Sequence, residues 1–77
     1  AIDVVIFWNV YNFLALPHRA VGEVRRVARR AVVFSVYNAA SGRYVSYVEF
    51  LKITEMLGRL KVIKRLGASQ YQAIIEL

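Results

Sequence analysis

Ser41-Gly42-Arg43-Tyr44-Val45-Ser46-Tyr47-Val48-Glu49-Phe50 decides how this chain is read. Ser41 and Gly42 make a small polar turn. The eight residues after it read as an extended strand, in which successive side chains point to opposite faces. Arg43, Val45, Tyr47 and Glu49 then share one face, while Val48 and Phe50 anchor the other in a core. A guanidinium and an aromatic ring on one sheet face suit a phosphate and a stacked base.

Before this run, Ala31 to Asn38 is rich in strand formers: Val32, Val33, Phe34, Val36 and Tyr37. Asn38 to Gly42 has the length and residue types of a hairpin turn, so Arg43 to Phe50 is expected to return as the second strand of a hairpin. After it, Thr54 reads as a helix N-cap, with Glu55 in the first turn. Met56, Leu57, Leu60, Ile63 and Leu66 recur at helical spacing, and Gly67 follows as a C-cap. Gln70 to Leu77 is expected to be the last strand.

Upstream, Asp3 to Val10 reads as a strand whose continuous apolar run suits a central position, covered on both sides. Asn9 to Leu16 reads as a loop or a short turn of helix, and Pro17 marks the start of a helix. His18 to Arg30 has helical periodicity, with Ala20, Val24, Val27, Ala28 and Ala31 on one side. Arg25, Arg26, Arg29 and Arg30 read as its solvated face, placed well against the negative end of the helix dipole.

The resulting order is β-α-β-β-α-β. It predicts an α+β, ferredoxin-like βαββαβ sandwich: a four-stranded antiparallel sheet with two helices on one face. All 77 residues fit one domain. A first residue other than methionine and a 58% hydrophobic content lead us to expect a domain excised from a longer protein. The formal charge of +6 favours polyanionic partners. No cysteine is present, which excludes disulfides and thiolate metal sites, and a single histidine argues against a zinc site. No uncharged apolar run reaches the roughly 18 residues a membrane helix needs. His18 has no nucleophile or carboxylate pair arranged with it, and Gly22, Gly42, Gly58 and Gly67 are scattered rather than gathered in a phosphate loop. Neither an enzyme, a cofactor nor a metal is expected.

Arg43-Tyr44-Val45-Ser46-Tyr47-Val48-Glu49-Phe50 aligns without gaps with the longer signature of the RNA recognition motif family, matching at Arg43, Tyr47, Val48 and Phe50. Val5-Ile6-Phe7-Trp8-Asn9-Val10 is similar to the family's shorter signature. The chain therefore resembles a divergent RNA recognition motif. The resemblance implies single-stranded RNA bound on the sheet face by Ile6, Trp8, Arg43, Val45, Tyr47 and Tyr37, in an intracellular protein, nuclear if eukaryotic. Two stacking positions, Ile6 and Val45, are aliphatic here. A stacked aromatic is worth about 1–3 kcal/mol per base, so binding is expected to be weakened, with Trp8 or Tyr37 as substitute platforms.

Two other readings stay open. One is a protein-interaction or assembly module that buries its apolar sheet face, or the Tyr11 to Leu16 segment, against another chain or domain. The other is a winged-helix domain for duplex DNA, with Tyr47 to Leu57 as recognition helix and Lys61 to Leu66 and Gln70 to Glu76 as the wing. That reading needs Val32 to Tyr37 to be helical.

Overall fold

The computed structural model describes residues 2–38 and 42–77. Their order is β1 (Ile2–Trp8), a 3-10 turn (Tyr11–Phe13), α1 (Pro17–Val27), β2 (Ala28–Tyr37), α2 (Tyr47–Leu57), β3 (Leu60–Leu66) and β4 (Gln70–Glu76). The strands form one mixed sheet in the order β1-β2-β4-β3. β1 runs parallel to β2, with Phe7 beside Phe34 and Trp8 beside Ser35. β4 is antiparallel to both β2 and β3.

This is an α+β fold with four strands and two helices, but its order is β-α-β-α-β-β. The expected fully antiparallel sheet is corrected on two counts. β1 and β2 are parallel, joined by the α1 crossover that parallel neighbours require. And the expected hairpin partner of β2 is absent, because Tyr47–Leu57 is a helix. Ser46 caps that helix: its hydroxyl accepts from the Glu49 backbone N–H at 3.1 Å. Phe50, Ile53, Thr54 and Leu57 then recur at the i, i+3, i+4, i+7 spacing of a buried stripe. The expected turn over Asn38 to Gly42 includes Ala39, Ala40 and Ser41, which lie outside the described residues.

Thr54 is therefore not an N-cap. It lies inside α2, fully buried, and its hydroxyl donates to the Leu51 carbonyl at 2.7 Å. Leu60 to Leu66 is a strand rather than the second half of a helix. Leu60, Ile63 and Leu66 suit helical spacing, yet the β-branched pair Val62-Ile63 extends, and the alternating residues pair along β4. Gly67, at φ 76°, begins the three-residue Gly67-Ala68-Ser69 connection to β4. α1 starts with Pro17 in its first turn and ends at Val27, so Arg29 and Arg30 belong to β2. The β1–β2 register shifts there by one residue, which marks a bulge in β2 and leaves β1 regular.

The winged-helix reading anticipated α2 and the β3–β4 hairpin, but Val32 to Tyr37 is strand. β4 continues its pairing onto β2, so the hairpin is half of a four-stranded sheet.

Both helices pack on one face of the sheet. Phe7, Val32, Phe34, Val36, Tyr71, Ala73 and Ile75 from the strands join Val21, Phe50, Ile53 and Leu57 from the helices in one core. Aromatic rings run through it: Phe7 stacks on Phe34 at 5.5 Å, and Phe34 on Phe50 at 5.2 Å. The alternate strand residues Val4, Ile6, Trp8, Leu60, Val62, Leu66 and Ile74 face the other way, and all are exposed. Among the described residues, no helix is long and apolar enough to cross a membrane.

Candidate ligand site at the carboxyl ends of β1 and β2

The parallel pairing brings the carboxyl ends of β1 and β2 together. The chain leaves β1 through Asn9, whose φ of 55° is the left-handed conformation that asparagine tolerates better than most residues. Three hydrogen bonds hold it there. Its backbone N–H donates to the Ser35 carbonyl at 3.2 Å and to Ser35 Oγ at 2.9 Å. Ser35 Oγ donates back to Asn9 Oδ1 at 2.6 Å. Ser35 is fully buried, so the pair satisfies a hydroxyl that would otherwise be costly to cover.

Behind this pair lies a second amide network. Asn12 is buried, and its Nδ2 donates to Asn38 Oδ1 and to the Arg43 carbonyl, both at 2.9 Å. Its Oδ1 accepts from the Tyr37 N–H at 3.3 Å. Asn38 completes the network by accepting from the Val45 N–H at 2.8 Å and donating to the Val45 carbonyl at 2.7 Å. Two asparagines thus supply the backbone partners that the irregular 42–46 connection cannot find in a ladder. The sequence signal for these residues was the presence of Asn9, Asn12 and Asn38 at the ends of apolar runs.

The six residues expected to bind RNA divide into two groups. Ile6, Trp8 and Tyr37 share the open sheet face and are 72%, 42% and 46% exposed. Arg43, Val45 and Tyr47 do not join them. Val45 is completely buried and clamped by Asn38. Tyr47 lies in α2, half-buried against Phe50 and Tyr71, with the Arg65 guanidinium 4.6 Å above its ring. Arg43 donates to Glu49 at 3.1 Å and lies 5.1 Å from the Tyr11 ring centroid. The Glu49 hydrogen bond is the main reason that the Arg43 guanidinium holds its proton even more strongly than usual. Tyr11 donates its hydroxyl to the same carboxylate at 3.1 Å, and burial pushes its phenol pKa up.

The site therefore offers two exposed aromatic rings, Trp8 and Tyr37, flanking the fixed Asn9–Ser35 pair. Asn9 Nδ2 has no protein acceptor among the described residues. Such a set can stack a planar ring and donate to a carbonyl, ring nitrogen or hydroxyl. No group of three or more metal-ligating side chains occurs among the described residues.

No protein-family model, curated protein or solved structure in the comparisons matches this chain.

Proposed function

We propose that the chain is a binding unit for a small nucleoside-like ligand, held at the carboxyl ends of β1 and β2, with its apolar sheet face packed on a further protein layer. The observation that carries this reading is the parallel β1–β2 pair, which gathers Trp8, Asn9, Ser35 and Tyr37 at one end. In open sheets with parallel strands, ligands sit in the crevice outside the carboxyl ends. A base fits against an aromatic ring, and the Asn9 amide fits its polar edge. Arg43 is already engaged by Glu49 and Tyr11, so this end is better suited to a neutral or cationic nucleoside than to a polyphosphate. The chain's own side chains bind and orient; any reaction is supplied by the ligand.

Isothermal titration with adenosine, S-adenosylmethionine, NAD and ATP tests this, with Trp8 fluorescence as a second readout. Binding of an adenosine-bearing ligand is expected to change Trp8 emission, and Asn9→Ala and Tyr37→Ala are expected to weaken it. No binding by any of the four removes the reading.

The shared face of Ile6, Trp8 and Tyr37, with the +6 charge, favours a second reading: single-stranded RNA on the open sheet, as the resemblance to the RNA recognition motif implies. A labelled mixed-sequence single strand at low salt tests it. Trp8→Ala and Tyr37→Ala should then reduce RNA affinity, and an unresponsive wild type discards it.

A further inference from the structure

The two edges of this sheet are built differently. β3 carries Lys61, Lys64 and Arg65 along its seven residues, so cations lie on both of its faces. Charged edges of this kind resist the addition of another strand. β1, at the opposite edge, has one charge, Asp3, and is uncharged from Val4 to Trp8. It is also regular, since the bulge at that end belongs to β2. Its composition is that of a strand covered on both sides, yet Val4, Ile6 and Trp8 are exposed and, among the described residues, one row of its backbone groups has no strand beside it. β1 thus has an interior strand's sequence in an edge position.

We infer that β1 pairs with β1 of a second copy of this chain, antiparallel about a two-fold axis at Val5. The register is self-complementary. Val4 faces Ile6 of the other copy, and Asp3 faces Phe7, so the carboxylates do not meet. Open-face residues pair with open-face residues, and helix-face residues with helix-face residues, which keeps both helix layers on one side. The apolar band of Val4, Ile6 and Trp8 becomes continuous across the axis, and the sheet grows to eight strands with Lys-rich β3 at each outer edge.

Sedimentation equilibrium of the 77-residue chain tests this, with Ile6→Lys, Val4→Lys and Val62→Lys. Ile6 and Val62 are 72% and 71% exposed on the same open face, so neither lysine displaces core packing. The expected result is a dimer for the wild type and for Val62→Lys, and a folded monomer by circular dichroism for Ile6→Lys and Val4→Lys. Hydrogen exchange should slow at alternate β1 amides as the dimer forms. A wild type that stays monomeric overturns the inference. So does a dimer lost equally on Val62→Lys, which would place the contact face to face on the open sheet.

Discussion

Ser46 Oγ accepts the Glu49 backbone N–H at 3.1 Å, and this contact turns an extended segment into α2. It satisfies one of the amides that the first helical turn leaves without a partner. The Glu49 carboxylate lies in that same turn, where the helix dipole favours it, and receives hydrogen bonds from both Tyr11 and Arg43. Ser46→Ala should cost about 1 kcal/mol of stability, and Ser46→Asp should retain most of it. Urea unfolding followed by circular dichroism measures both. An unchanged Ser46→Ala midpoint would show that the cap is dispensable.

Ser46-Tyr47-Val48-Glu49 is a Ser-x-x-Glu pattern, so the cap was legible in the sequence. It was masked by the alternation of Arg43 to Phe50, which suits a strand equally well. Tyr47, Phe50, Ile53, Thr54 and Leu57 carry the competing helical period, and burial of four of them against the sheet decides between the two. β1, α1, most of β2 and β4 were legible because apolar periodicity and Pro17 agree there. β3 was legible only in the winged-helix reading, because Leu60, Ile63 and Leu66 follow helical spacing and only pairing with β4 overrides it. Within the candidate site, Trp8 and Tyr37 were legible as exposed aromatics. Asn9 and Asn12 were visible only as asparagines interrupting an apolar run, and Ser35 not at all, because their partners come from residues about 25 or more positions away.

Asn12 is the most connected buried side chain at the carboxyl ends. Asn12→Ala removes the side-chain partners of the Tyr37 N–H and the Arg43 carbonyl together, and one of the two donors to Asn38 Oδ1, which keeps the Val45 N–H. Loss of a partner from a buried polar group costs about 1–3 kcal/mol, so this substitution should fall at or above the upper end. The 42–46 connection should also loosen, seen as faster hydrogen exchange at the Val45 amide. A loss below about 1 kcal/mol would mean that water replaces the amide without penalty.

Two glycines should respond to alanine with opposite signs. A Cβ on Gly58 would lie 2.6 Å from Ile75 Cγ2 and 3.1 Å from Leu77 Cδ2, and Ile75 is completely buried. The Gly58 backbone is extended, so the penalty is steric rather than conformational. Overpacking of this kind costs about 1–3 kcal/mol. Gly22 is exposed within α1 and has no atom within 4 Å of the added carbon, so Gly22→Ala should stabilise by up to about 1 kcal/mol. Thermal unfolding of the two variants checks the signs.

Alkaline pH should destabilise the fold through Tyr11 and Tyr71. Burial is the largest cause of a raised phenol pKa at both, with Tyr44 adding to it at Tyr71. Tyr11 donates its hydroxyl to Glu49, and Tyr71 donates to the Ala68 carbonyl at 3.1 Å, so each is held as the neutral donor. In the unfolded chain a tyrosine releases its proton near pH 10. Above that value the unfolded state binds fewer protons than the folded one, and stability falls as pH rises toward the raised folded values. The contribution is fully present below about pH 10. Urea midpoints measured across this range should therefore decline above about pH 10, with phenolate absorbance of the folded protein lagging behind that of the unfolded. Tyr11→Phe should flatten the decline, because phenylalanine keeps the ring against Phe7 and Phe34 but has no proton to lose. An identical slope in Tyr11→Phe would assign the alkaline loss to other groups.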